Sequence, residues 1–334
     1  MALLSLLRIG VGIGVAGLNI TSIPYVQEFV PAKNRGMLSG LASVFIPLGC
    51  FWDLSPKALS ATIGVYSWPW EHSQYCSCSG FAAFPSLRVS IRRTGRTRRP
   101  ARALAWALEM PEHEVGALPV ITKRKKISYR ELLHRNGKAL AIISIGSFCF
   151  IMGSYAVQSW GQTLLKDAFH FSTQTVAFLF MGVSVADCLG RFGSAWLADI
   201  IGRRWTMFLY GILGAVGCFS AVLFHSSGWQ FYIAVLIIMT FGDGVFGILN
   251  AFGGEQFPND TRSTALGLGY GIGATAKIIG PALLGALVGG SFVAQNINPA
   301  VITTAFTFFG VCLVVGAITY LFAKETKGKD LESL

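Results

Sequence analysis

The sequence predicts an all-α membrane protein, a bundle of apolar helices with a complete second half and an incomplete first half. Three observations predict it. Of 334 residues, 53% are hydrophobic and only 13% charged, with a mean hydropathy of +0.56, whereas a soluble domain carries about 25% charge. Long apolar stretches recur at the roughly 20 residues needed to cross the hydrocarbon of a bilayer. An ordered pair of short motifs occurs twice, once near each end of the chain.

The spans follow in order. Residues 2–27 and 36–52 supply two apolar segments. Residues 139–157, 205–224 and 300–323 contain no charged side chain, and 175–198, 229–252 and 265–290 contain very few. These divide the chain into an incomplete transmembrane half (1–87), a basic central loop (88–138), a six-helix half (139–323) and a short tail (324–334).

Two stretches, "GIGVAG" (12–17) and "GDGVFG" (242–247), fit the G-x-G-x-x-G of a dinucleotide-binding turn. That turn needs a strand before it and an acidic residue about 20 positions after it. Both stretches lie instead inside apolar helical patterns, where small residues let a neighbouring backbone approach. Cys149, Cys188, Cys218 and Cys312 fall inside spans and read as small hydrophobes. His72, Cys76 and Cys78 lack a fourth ligand at standard spacing. No nucleophile–base constellation stands out. The expectation is therefore no cofactor, no metal and no enzyme.

The glycine motifs begin a longer repeat. "EFVPAKNRGMLSG" (28–40) and "EQFPNDTRSTALG" (255–267) both fit E-x-x-P-x-x-x-R-x-x-x-x-G, which matches Glu28 with Glu255 and Arg35 with Arg262. Internal duplication is typical of secondary transporters. In the second copy the motif follows the fourth span of its half; in the first it follows the first span of the chain. The count implies that three helices of a twelve-helix plan precede Met1. Lys and Arg placement sets orientation. With loop 88–138 inside, Arg203, Arg204, Arg262, Lys324, Lys327 and Lys329 fall on its side, and only Lys166 on the other. The C-terminus is expected in the cytoplasm. Residues 53–98 must include a crossing yet offer no clean apolar run, and "RVSIRRTGRTRRPAR" adds seven arginines. A shifted reading frame, a divergent helix and a basic insert remain open.

Several of these stretches carry a family resemblance. "EFVPAKNRG", "LADIIGRR" (197–204), "EQFPNDTRSTALG", "IIGP" (278–281), "KETKG" (324–328) and "SWGQTLL" (159–165) resemble the major facilitator superfamily, in its metabolite:proton symporter and sugar-porter-like branch. Lys324 stands where that branch usually has Pro, and Ala195 where the loop motif usually starts with Gly. The resemblance implies a helical bundle that moves a small organic solute by alternating access, coupled to protons, with Glu28, Arg35, Asp199, Arg203, Arg204, Glu255 and Arg262 as gate clamps on the cytoplasmic face.

Charges inside spans are costly and point to function. Asp187, Asp243 and Lys277 each lie about 16–18 Å along their helices at 1.5 Å per residue, near the midplane. Asp243 and Lys277 lie on consecutive antiparallel helices, where they can pair, which would leave Asp187 to titrate; the plainer alternative is that these charges only neutralise one another and hold helices together. Tyr155 and Gln158 share a helix face, and the resembled family lines its cavity with that helix. Trp160 suits an interfacial belt, and Asn250 and Asn19 suit either an interhelical bond or the solute. Arg8, near an outer end, suits snorkelling. The expected partners are a small solute, a proton and the bilayer of a bacterial inner membrane. The expected protomer is a monomer with no nucleic-acid ligand. A rival reading is a membrane-anchored regulator whose basic loop binds nucleic acid or anionic lipid.

A reporter that works only in the cytoplasm, fused after Leu334, is expected to be active. Activity of a periplasm-only reporter at that position would reverse the orientation.

Overall fold

The structure is a computed structural model and describes residues 36–51 except 39 and 42, 129–287 except 225, and 299–329. Expectations for Arg8, Asn19, Glu28, Arg35 and the stretch 52–128 fall outside these residues. Among the described residues every regular element is helical. They are α1 (Gly36–Phe51), α2 (Tyr129–Ala168), α3 (Thr173–Ile201), α4 (Arg203–Leu223) and α5 (Gly228–Glu255), then α6 (Arg262–Ala274), α7 (Ala276–Leu287) and α8 (Pro299–Leu321). Among them α2, α3, α4, α5 and α8 contain stretches long and apolar enough to cross a membrane.

The helix ends have local causes. Ser172 caps α3 by accepting the Thr175 N–H at 3.1 Å, and Ser227 caps α5 by accepting the Trp229 N–H at 3.4 Å. Between α3 and α4 the chain turns through Gly202 at φ +101, a conformation that L side chains rarely adopt.

α3 shows why the bundle belongs in lipid. Phe178, Val185, Leu189, Phe192, Trp196 and Ile200 are exposed, while Ser184, Asp187, Arg191 and Ser194 are buried. A soluble helix places its apolar stripe inward and its charges outward; α3 does the reverse. α2 packs on α6, α7 and α8, α4 packs on α8, and α3 lies against the middle of α5.

Three expected spans differ in detail. α2 is already helical at Tyr129, the first described residue of this stretch, so residues 129–138 of the expected loop are helical; Leu132 is buried, and the helix kinks at Asn136 (φ −125, ψ 18). The 265–290 span is two helices around Thr275, whose N–H bonds to Ile272 O at 3.2 Å in the tighter i−3 pattern. Further on, Pro281 has no N–H, so the Lys277 carbonyl loses its i+4 donor. The 229–252 span is α-helical to Ile237, π-helical over Ile238–Asp243, 3-10 over Gly244–Gly247 and α-helical again from Leu249.

The glycines of "GDGVFG" sit in that irregular segment, and they serve packing. A Cβ on Gly244 would lie 2.9 Å from the backbone of Gly190 on α3, and a Cβ on Gly190 would collide with the Thr240 carbonyl. The two backbones therefore touch where α3 crosses α5. Gly→Ala in a helix normally stabilises by roughly 0.5–1 kcal/mol. Here overpacking reverses the sign. Gly190→Ala is expected to destabilise by about 1–3 kcal/mol, seen as a lower melting temperature in detergent. Gly49→Ala, with nothing within 4 Å of the new Cβ, is expected to be neutral or stabilising. A Gly190→Ala protein that melts no lower than its parent would mean the crossing is not tight.

Candidate functional site

Three buried charges meet at this crossing. The Arg191 Nε donates to Asp187 Oδ1 at 2.8 Å, one helical turn back on α3, and Arg191 Nη2 pairs with Asp243 Oδ2 on α5. Relative exposures are 1% for Asp187, 5% for Arg191 and 3% for Asp243. Helical geometry places Asp187 and Arg191 at i and i+4 on one face. The Gly190–Gly244 contact brings α5 close enough for the same guanidinium to reach Asp243. Arg191 Nη1 also approaches the Ser43 carbonyl of α1 at 3.5 Å, and the Phe246 ring faces the guanidinium at 5.6 Å.

This corrects the expected Asp243–Lys277 pair: Asp243 is bonded to Arg191, and so is Asp187, which was expected to stand free. The sequence signal for Arg191 was its i,i+4 spacing from Asp187. The physical reason for the error is that consecutive helices need not supply the partner. The backbone contact joins α5 to α3 instead. Lys277 lies within electrostatic range of both Asp243 and Arg191, but its Nζ sits over the Tyr155 ring, 5.4 Å from the centroid. Tyr270 feels the same Asp243–Arg191 pair. Gln158 is half-buried one turn from Tyr155. Trp160, expected at an interface, is half-buried, and its Cζ2 lies 3.6 Å from where a Gly285 Cβ would be on α7. Asn250 is half-buried further along α5.

A second charged cluster lies where α3 ends, α4 begins and α5 ends. Asp199 accepts the backbone N–H groups of Gly36 at 3.1 Å and Met37 at 2.9 Å, so its carboxylate sits at the N-terminus of α1. The positive end of the α1 dipole favours that charge. Asp199 also pairs with Arg203 at 3.1 Å, and Arg203 Nε lies 3.6 Å from Glu255 Oε2. Thr326 donates its hydroxyl to Glu255. Glu325 accepts the Arg203 and Arg204 backbone N–H groups, both at 3.0 Å, and so caps α4. Of the expected clamp residues, Asp199, Arg203 and Glu255 come together. Arg204 lays its guanidinium over Trp205 at 5.4 Å, and Arg262 donates to Gly254 O at 3.1 Å and toward Asn259 at 3.5 Å. Glu325 and Thr326 were not foreseen; the "KETKG" stretch that holds them was the available sign.

Buried charge between crossing helices beneath an apolar exterior defines a membrane-embedded helical bundle. The chain belongs to the Major Facilitator Superfamily, whose family model matches residues 1–281 and 143–333. It is 25% identical over 331 residues to NiaP of Bacillus subtilis (strain 168), whose name describes a niacin/nicotinamide transporter, covering 98% of this chain and 74% of the relative. It is 25% identical over 344 residues to the niacin transporter NiaP of Acinetobacter baylyi, with the same coverages of 98% and 74%. Its fold is similar to that of the proton:xylose symporter XylE bound to 6-bromo-6-deoxy-D-glucose, with TM-score 0.68, 19% identity, 96% of this chain and 71% of that one. The chain is thus an integral, multi-pass membrane protein.

Arg191→Met leaves two buried carboxylates without their cation. Removing one partner from a buried ion pair costs about 3–5 kcal/mol, so the folded yield and melting temperature in detergent are expected to fall sharply. Asp187→Asn and Asp243→Asn added to the same protein should recover most of the loss. Failure of that triple variant to recover would mean that Arg191 stabilises the bundle by packing rather than by charge.

Proposed function

We propose that this chain is a secondary transporter that moves a small organic solute by alternating access and couples it to a proton at the Asp187–Arg191–Asp243 cluster. The observation that carries this reading is one guanidinium shared by two carboxylates on two different helices. One cation bonded to two carboxylates leaves those three groups at −1 (+1 −1 −1), offset only by Lys277 at longer range, and charge is costly away from water. A proton on either carboxylate removes that charge and weakens one of the two bonds to Arg191. The proton therefore biases how α3 and α5 hold each other, which is what coupling requires.

The relatives support the solute class. Two carry the name NiaP, one described as a niacin/nicotinamide and the other as a niacin transporter, and the structural neighbour is a proton:xylose symporter. An organic or aromatic acid, or a sugar-like metabolite, fits that range. The clamp of Asp199, Arg203 and Glu255 is the gate, and its placement in the cytoplasm follows from the Lys and Arg distribution. It ties α1 to α3 in the state that closes that end.

The test uses the full chain in proteoliposomes with labelled nicotinate as probe. Asp243→Asn keeps the Arg191–Asp187 bond and an acceptor at 243, so it should fold. Accumulation driven by an imposed pH gradient is expected to drop about tenfold or more, since a charged hydrogen bond is worth about 1.5–3 kcal/mol. Counterflow exchange, which needs no net proton movement, is expected to survive. Undiminished uphill uptake by Asp243→Asn would remove this cluster from the coupling.

A further inference from the structure

We propose that Lys277 is the anchor for a carboxylate on the solute, that the solute is an aromatic monocarboxylate, and that it is carried electroneutrally with one proton. This rests on the transporter reading above.

The argument begins with hydrogen bonds. An ammonium carries three N–H donors. Among the described residues no carboxylate lies within salt-bridge distance of Lys277, and its Nζ lies over the face of Tyr155. A ring face attracts a cation but accepts no localised hydrogen bond, so the donors turned away from the ring remain for a ligand. Arg191, the other cation at this depth, has its Nε and Nη2 committed to Asp187 and Asp243. Lys277 is therefore the cation available to an incoming anion.

The surroundings select the anion. Tyr155 and Trp160 bring two flat rings from α2 toward α7, with half-buried Gln158 between them in sequence. A planar solute can lie along such rings while its carboxylate meets Lys277.

Charge then sets the stoichiometry. Asp187, Asp243, Arg191 and Lys277 sum to zero (−1 −1 +1 +1). A bound monocarboxylate takes the sum to −1, and one proton on the Asp187–Asp243 pair returns it to zero. A dicarboxylate would leave a second charge uncompensated.

Nicotinate and nicotinamide share one ring and differ in the charged group, so they serve as the probe pair. In proteoliposomes with an imposed pH gradient, the parent protein should take up nicotinate about tenfold or more faster than nicotinamide. An added potassium–valinomycin potential should leave that rate unchanged. Lys277→Met should abolish the preference for the acid, and Lys277→Arg should restore part of it. Potential-dependent nicotinate uptake by the parent would overturn the electroneutral proposal without any variant. Gradient-driven nicotinate uptake that Lys277→Met leaves intact would overturn the anchor while the transporter reading stands. Uptake of neither probe by folded protein would overturn both.

Discussion

Arg191 is the constraint around which the rest of this bundle is arranged. A guanidinium held at 5% exposure inside a membrane span needs its charge answered by neighbours, because neither lipid nor water answers it there. Asp187 supplies one answer from the same helix. The second must come from another helix, and Asp243 arrives only because the α3 and α5 backbones touch at Gly190 and Gly244. Glycine at the crossing and charge at the core are therefore a single requirement. Bulk at either glycine would push Asp243 out of reach and strand the cation.

The same logic is repeated at the end of the bundle with different parts. Asp199 and Glu325 each place a carboxylate on a helix N-terminus, α1 and α4 respectively. Arg203 sits between Asp199 and Glu255. The mid-span cluster joins two helices through one shared cation, and the end cluster joins α1, α3, α4, α5 and the segment after α8 through backbone dipoles as well as side chains. Both are built from groups that can release one partner without losing all of them.

Much of this was legible in the sequence. Composition and span lengths pointed to the class, the duplicated Glu–Pro–Arg–Gly pattern to an internal repeat, and the six short motifs together carried the resemblance to the superfamily. Asp187, Asp243 and Lys277 were legible because an ionisable residue inside an apolar run stands out. Arg191 was not singled out, although it lies in the same run as Asp187, because the partner of Asp243 was sought on the next helix in the chain. Which helix touches which is a three-dimensional fact, and here it is decided by Gly190 meeting Gly244. Arg204 was read as the equal of Arg203 because they are adjacent; helical geometry turns adjacent side chains about 100° apart, and only Arg203 reaches Asp199. The division of α6 from α7 at Thr275 was hidden by uniform hydrophobicity, though Pro281 marked the neighbourhood.

The winding of α5 has a consequence of its own. Its π stretch, Ile238–Asp243, is wound too loosely for an α-helix, and the 3-10 stretch that follows, Gly244–Gly247, is wound too tightly. The two faults act in opposite senses. The outer segments, Gly228–Ile237 and Leu249–Glu255, are regular α-helix on either side of a stretch that is not, and Ile248 at φ −121, ψ −16 ends that stretch. Relaxing both faults together would swivel Asp243 about the helix axis with little sliding of either end. α5 thus resembles a shaft with a collar in its middle, able to change what the collar faces while Glu255 stays seated against Arg203.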